Sequence, residues 1–261
     1  MISPLITLTT DFGTDSPYVA ALKGVVLGIQ PRARVLDLSH AIPPQDVRHA
    51  AFFLAESVPY FPPGTLHVVV VDPGVGSSRH ILYVENQGQR LLVPDNGCWT
   101  WLIDADQPPT VRRLIETAYW RSNVSATFHG RDIFAPVAGW LSRGLDPQAL
   151  GPLTTEWVSL PKPALEPTVN GWRGEVVFID HFGNLITNIP GAALATAQTI
   201  LMDNREVANR VRTYADAAPG TLVALVSSGG WLEIAVVQGN AAQRLQVIAG
   251  ARVLVTGSQA S

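Results

Sequence analysis

Residues 66–79 read L-H-V-V-V-V-D-P-G-V-G-S-S-R. A near-continuous apolar run of this length is the signature of a strand covered on both faces. It must stop at Asp72-Pro73-Gly74, because proline lacks the amide that a ladder needs and Pro-Gly favours a turn. Outward from this run, strands alternate with helices. Residues 5–9 read as a buried strand ending in Thr10-Asp11-Phe12-Gly13. Ser16-Pro17 then offers an N-cap followed by proline at the first helical position, and Val19, Leu22, Val26 and Ile29 recur at helical spacing. A second strand is expected over 35–38, a second helix over 46–57, and a hairpin of 81–85 with 91–93 around Asn86-Gln87-Gly88. A further helix is expected over 133–141, behind His129-Gly130-Arg131-Asp132. The alternation predicts an α/β N-terminal domain with a mostly parallel central sheet.

The character changes after residue 151. Four prolines (Pro152, Pro161, Pro163 and Pro167) mark an extended stretch. Beyond it short strands follow one another, at 173–180, 184–189, 199–203, 206–213, 221–227, 231–237, 243–248 and 252–256. Such even spacing predicts a smaller all-β, barrel-like C-terminal domain. The expected division is 1–155, a Pro-rich linker 156–170, and 171–261.

Composition narrows the function classes. Nearly half of the 261 residues are hydrophobic and 15% are charged, which describes a packed globular chain. The formal net charge is −3 and no basic run stands out, so a nucleic-acid partner is not expected. The one cysteine, Cys98, allows neither an internal disulfide nor a cysteine-based zinc site, and no H-x-x-x-H spacing occurs; no metal is assigned. With neither a signal-like N-terminus nor a long apolar span, a cytoplasmic protein without membrane contact is expected.

In a mostly parallel open sheet, ligands lie beyond the carboxyl ends of the strands, where Asp11 and Asp72 fall. Each could be a turn or cap aspartate. Asp15 and Ser16 lie nearer the helix start, however, which frees Asp11 to accept ribose hydroxyls. Asp72 and Arg79 flank a glycine-containing loop and could equally form a structural salt bridge; the phosphate-loop pattern is absent. His129 precedes a helix, a setting the other five histidines lack. In the second half, I-D-H-F-G-N-L-I-T-N (179–188) combines a carboxylate, an aromatic face and two amides, although a plain turn at Gly183 is the alternative. Ser227-Ser228-Gly229-Gly230 and Gln238-Gly239-Asn240-Ala241 add two small-residue loops.

Taken together, T-T-D-F-G, V-D-P-G-V-G-S-S-R, F-H-G-R-D, I-D-H-F-G-N-L-I-T-N and S-S-G-G-W-L-E-I-A-V-x-x-G-N-A-A resemble the S-adenosyl-L-methionine (SAM) hydroxide adenosyltransferase family, relatives of the fluorinating and chlorinating SAM enzymes. The resemblance spans about residues 5–256. It implies attack of water or hydroxide on the ribose 5′ carbon of SAM, giving adenosine and L-methionine, with SAM as substrate and no cofactor. It further implies a homotrimer that holds SAM between the N-terminal domain of one subunit and the C-terminal domain of the next. Carried over by motif, Asp72, Arg79 and His129 handle the nucleophile, Asp11 takes the ribose and Gly130 lies in the substrate site. Asp180, Asn184 and Phe182 take the methionine and adenine ends, and Ser228 contacts the amino-acid moiety. Gly229 follows Ser228 where the halogenases have arginine, and their extra loop in the first domain is absent. A halogenase and a non-catalytic SAM- or adenosine-binding protein remain the alternatives.

Overall fold

The computed structural model describes residues 5–257, in two compact units that divide at Leu160/Pro161. The first unit contains β1 (Leu5–Thr10), α1 (Tyr18–Ile29), β2 (Arg34–Ser39), α2 (Val47–Ser57), β3 (Leu66–Val70), β4 (Ile81–Asn86), β5 (Gln89–Pro94), β6 (Thr110–Arg113) and α3 (Ala135–Ser142). Its strands lie in the order β2-β1-β3-β5-β4-β6. The pairings of β1 with β2, β1 with β3 and β3 with β5 are parallel, whereas β4 pairs antiparallel with both β5 and β6. The sheet is therefore mixed, not mostly parallel. The tight Gln87-Gly88 turn, where both residues have positive φ, joins β4 to β5 directly and forces them antiparallel. Thr110–Arg113 escaped the sequence pattern because only Val111 of its four residues is buried.

β3 is covered on both faces. Leu66, Val68 and Val70 pack with Leu22 and Val26 of α1 and with Val137 and Leu141 of α3. Val69 and Val71 pack with Ala50 and Leu54 of α2 and with Trp99. His67 lies within this strand with no solvent exposure. Its Nδ1 is 2.7 Å from the Thr7 hydroxyl and its Nε2 3.3 Å from Gln89 Oε1. Burial pushes its pKa down to about 4, against a smaller upward pull from Gln89.

Helix α1 has the expected bounds, but Ser16 does not cap it. Pro17 occupies the N-cap position, and the Ser16 hydroxyl donates to the Phe12 carbonyl at 3.1 Å. A π-helical turn, Gly130–Phe134, runs into α3, so the third helix begins with a wider turn than the sequence suggested.

The second unit contains β7 (Glu166–Thr168), β8 (Gly171–Ile179), β9 (Leu185–Pro190), β10 (Ala197–Met202), β11 (Arg205–Glu206), β12 (Asn209–Arg210), β13 (Leu222–Val226), β14 (Trp231–Val236), α4 (Ala241–Leu245) and β15 (Arg252–Gly257). Strand order is β11-β10-β15-β8-β9-β14-β13-β12, with β7 added on β8. The two edge strands, β11 and β12, are separated in the chain by Val207 and Ala208 alone, so one short segment pairs with both ends of the sheet and curls it into a half-barrel. The barrel-like expectation thus becomes an open, curled sheet, and it is not purely β. Residues 243–248, expected as a strand, form none: 243–245 end α4 and 246–248 are irregular, because Ala-Ala-Gln-Arg-Leu favours helix behind the Asn240 cap, whose side chain accepts from Gln243 N at 2.7 Å. The expected strand 206–213 reduces to the two edge pairs, and β7 occupies part of the expected linker. Among the described residues no helix is long and apolar enough to cross a membrane.

His67 makes the first unit acid-sensitive. Its folded pKa lies below the unfolded value of about 6.5, so between these values the unfolded chain binds a proton that the fold refuses. Stability from this residue is complete above pH 6.5 and declines as pH falls toward 4, by about 3 kcal/mol in total. Chemical denaturation across pH 4–7 should show this slope in the parent and a much shallower one in His67→Gln; equal slopes would exclude the assignment.

Candidate active site

Parallel pairing brings the first cluster together. Thr10 of β1 is in register with Val70 of β3, so Asp11 and Asp72 leave the same edge of adjacent strands, whose axes are about 5 Å apart. After Asp72 the chain turns, with Val75 N donating to the Asp72 carbonyl at 3.2 Å and the Ser77 hydroxyl to the Gly74 carbonyl at 2.7 Å. Gly76 is needed here twice over: its φ is +78°, and a Cβ would lie 2.4 Å from the Ala126 carbonyl oxygen. This close approach seats the loop of Asp72 against the segment that leads into His129.

The loop folds Arg79 back onto Asp72. Arg79 Nε donates to both carboxylate oxygens, at 2.9 and 3.0 Å, and Nη2 donates to Oδ2. Nη2 also donates to His129 Nδ1 at 2.9 Å. The side chains of Asp72 and Arg79 are 5% and 10% exposed, so this is a buried ion pair, and burial makes each of its hydrogen bonds matter. A guanidinium has only donors, which makes Nδ1 of His129 the acceptor and places the proton of the neutral ring on Nε2. Burial, and then the Arg79 charge, push the His129 pKa below its ordinary value of 6.5, with Asp72 and Asp132 opposing.

The F-H-G-R-D segment is held from behind. Asp132 has no solvent exposure and accepts from Arg131 Nε at 2.7 Å, Arg131 Nη2 at 2.8 Å and Ser125 N at 3.0 Å. The Arg131 guanidinium keeps its carboxyl below the usual range. Gly130 is buried, and a Cβ there would meet Val70 at 3.3 Å and Phe12 at 3.6 Å. Phe12, Tyr18 and Phe128 pack edge to face at 5.1–5.9 Å between centroids, joining this segment to the loop of Asp11. Asp11 Oδ2 accepts from Gln45 N at 2.8 Å.

The second unit has its own cleft of about 530 Å3, lined by Asp180, Phe182, Asn184, Tyr214, Gln238 and Gly239 among others. The turn between β8 and β9 makes one wall. Asp180 Oδ1 accepts from Phe182 N at 2.9 Å and Asn184 N at 2.8 Å, and Oδ2 accepts from Asn184 Nδ2 at 2.9 Å. Asp180 therefore organises its own turn, and Phe182 projects 71% exposed beside a nearly buried Asn184. The opposite wall docks on this turn: Ala242 N donates to the Gly183 carbonyl, and a Cβ at Gly183 would lie 2.1 Å from the Asn240 amide. Ser228 is exposed in the turn before β14, whereas Val236 ends that strand and Gln238 and Gly239 follow it, so the cleft lies toward its other end.

Two participants went unnoticed in the sequence. Tyr214 lines the cleft, and its hydroxyl donates to Glu233, a carboxylate only 4% exposed. Burial pushes the Glu233 pKa up; the Tyr214 hydroxyl opposes this and the Asp180 charge adds to it. Glu233 stood in plain view as the only acidic residue of W-L-E-I-A-V, but nothing local marked it as a partner of a tyrosine 19 positions earlier.

Family models match both halves: that of the SAM hydroxide adenosyltransferase N-terminal domain over residues 6–151, and that of its C-terminal domain over residues 174–254. The chain belongs to the SAM hydroxide adenosyltransferase family. A protein named (R)-S-adenosyl-L-methionine hydrolase from Salinispora tropica is 41% identical over 260 residues, covering 97% of this chain and 98% of its own. One of the same name from Thermus thermophilus is 41% identical over 246 residues, 90% and 93% of the two chains. A fluorinase from Actinoplanes sp. is more distant, at 26% over 97% of this chain and 98% of its own. The crystal structure of an uncharacterized conserved protein from Thermotoga maritima superposes with a TM-score of 0.87 at 34% identity, covering 96% of this chain and 99% of that one. Within this family member, Asp72, Arg79 and His129 form one connected cluster, while Asp180, Phe182 and Asn184 line one cleft in the second unit.

The raised Glu233 pKa means that its contribution to stability is complete below the unfolded value and is lost as pH rises through the folded one. Tyr214→Phe removes the hydroxyl that limits this loss. The variant should lose about 1–3 kcal/mol at pH 8 and much less at pH 4, below the ordinary carboxyl value, read from urea midpoints. An equal loss at both pH values would show that the hydroxyl does not serve the carboxylate.

Proposed function

We propose that the chain hydrolyses SAM at the ribose 5′ carbon, releasing adenosine and L-methionine. The observation that carries this reading is the Asp72–Arg79–His129 chain of hydrogen bonds, in a family whose named relatives include SAM hydrolases. SAM is a sulfonium, so methionine leaves as a neutral thioether without an acid. The oxygen of water forms a bond to C5′, the C5′–S pair of electrons passes to sulfur, and one proton goes to solvent. The demand on the protein is to aim and stabilise an oxygen nucleophile of growing anionic character.

The hydrogen-bond directions suit that demand. Asp72 occupies Nε and one edge of Nη2 on Arg79, fixing the guanidinium plane. Nη2 also engages His129, which leaves His129 Nε2 as a second N–H beside a permanent cation. Both groups offer donors, so the cluster favours holding hydroxide character over taking a proton onto His129. Asp11 is assigned to the ribose, with Gly130 allowing close approach of backbone. Asp180, Phe182, Asn184 and Ser228 are assigned to the adenine and methionine ends. SAM is the substrate, no cofactor or metal takes part, and the protein works in the cytoplasm as a homotrimer with sites at subunit interfaces.

The test is to incubate the protein with SAM in halide-free buffer containing oxygen-18 water and to analyse the products. Methionine and adenosine carrying the heavy oxygen are expected. Turnover only with added chloride or fluoride would make the protein a halogenase, and intact SAM throughout would leave a binding protein. In the same assay Arg79→Ala and His129→Ala should lose about 100-fold or more in turnover while still binding SAM.

The depressed His129 pKa sets the acid limb. Protonation of Nδ1 removes the acceptor for Arg79, so kcat/KM should not vary with His129 titration above pH 6.5 and should fall once pH drops below its lowered pKa. The pH–rate profile of His129→Gln should lack this limb. Persistence of the same limb in the variant would assign it to another group.

A further inference from the structure

A second histidine stands behind Asp11. His40 is 7% exposed and follows β2, the edge strand beside β1. Its Nδ1 is 2.8 Å from the Thr10 hydroxyl, and its Nε2 is 2.9 Å from Asp37 Oδ1. Asp37 Oδ2 in turn accepts from Lys23 Nζ of α1 at 2.6 Å. The Nε2 contact with Asp37 is electrostatic and lacks hydrogen-bond direction; the carboxylate favours the ring proton on Nε2, which leaves Nδ1 to accept from Thr10. The Thr10 oxygen is then free to accept from Phe12 N, at 3.3 Å. The backbone carbonyl of His40 accepts from Gly13 N at 2.8 Å. The segment just beyond it supplies Gln45 N to the Asp11 carboxylate.

The residues on either side of Asp11 are thus tied, directly or through Thr10, to His40, and the carboxylate itself is tied to the loop that His40 begins. We infer that His40, oriented by the Asp37–Lys23 ion pair, is a positioning residue that fixes the Asp11 carboxylate for the ribose of the substrate. The inference rests on the proposed ribose role of Asp11. A carboxylate that accepts two vicinal hydroxyls must hold its position closely, and misplacement by about 1 Å is enough to cost such a site much of its effect. Without the His40 side chain the Asp11 loop keeps Gln45 N, the Gly13 N and Ser16 hydroxyl bonds and the aromatic contacts of Phe12, but the Thr10 hydroxyl beside Asp11 loses the acceptor that directs it.

A double-mutant cycle on SAM hydrolysis tests this. KM, kcat and thermal stability are measured for the parent, His40→Ala, Asp11→Ala and the double variant. His40→Ala is expected to raise KM about tenfold with a smaller effect on kcat. In the Asp11→Ala background the same change should add less than about twofold, because the group it positions is already gone. Asp37→Asn, which keeps an oxygen beside Nε2, should retain more of the parental KM than Asp37→Ala, which should behave as His40→Ala does. If His40→Ala does not fold, Thr10→Val and Thr10→Ser make the same comparison, since serine keeps the hydroxyl and valine removes it. Multiplicative effects of His40 and Asp11 on KM, or a lowered melting temperature with unchanged KM, would reduce His40 to a structural role. An unchanged KM in Asp11→Ala would overturn the ribose role of Asp11, and this inference with it.

Discussion

A guanidinium caught between a buried carboxylate and a histidine nitrogen organises the first unit's site. Taking Asp72 and Arg79 out of water costs several kcal/mol per ion, and mutual attraction in a closely packed setting offsets that cost only when geometry is good. Here it is: two N–H groups make three contacts with the carboxylate, and a third N–H is directed to His129. Such a pair adds little to net stability compared with apolar residues of the same volume. Its value lies in direction, because a cation held this firmly presents its field and its remaining donors at one place.

Much of the surrounding backbone serves that placement. The parallel register of β1 with β3 delivers Asp11 and Asp72 to one edge. Gly76 permits the loop of Asp72 to press against Ala126, and Gly130 permits the π-helical turn to pack on Val70 and Phe12. Asp132, fully buried and held by Arg131, anchors the same turn from the far side. Wider helical turns of this kind occur often at functional sites, where they re-aim a side chain at the helix start. The second unit uses a comparable economy, in that Asp180 braces its own turn while Asn240 both caps α4 and fills the space beside Gly183.

Legibility in the sequence followed the range of the interactions. The valine run, the helix of Tyr18–Ile29 and the Asn86-Gln87-Gly88 turn are written in neighbouring residues, and each was readable. The strand–helix alternation overstates the parallel character of the sheet, because the readable β4–β5 hairpin and the β6 edge, with one buried side chain, make two of its five pairings antiparallel. Strand 243–248 failed for a local reason that was available: an asparagine cap before good helix formers outweighs the rhythm of the strands around it.

Residue types at the site, the two-part organisation and the family can be read without coordinates, because motifs in order carry that information. The sequence also placed Asp72, Arg79 and His129 as candidates. Only the tertiary structure decided that Arg79 bridges the other two, that His129 accepts through Nδ1, and that His40 and Glu233 stand behind cleft and loop residues. The contacts of Arg79 with His129, of His40 with Thr10 and of Glu233 with Tyr214 join positions 19 to 50 residues apart, through strand register and loop docking. Hydrogen-bond direction and burial are properties of such meetings, and no single stretch of chain contains them.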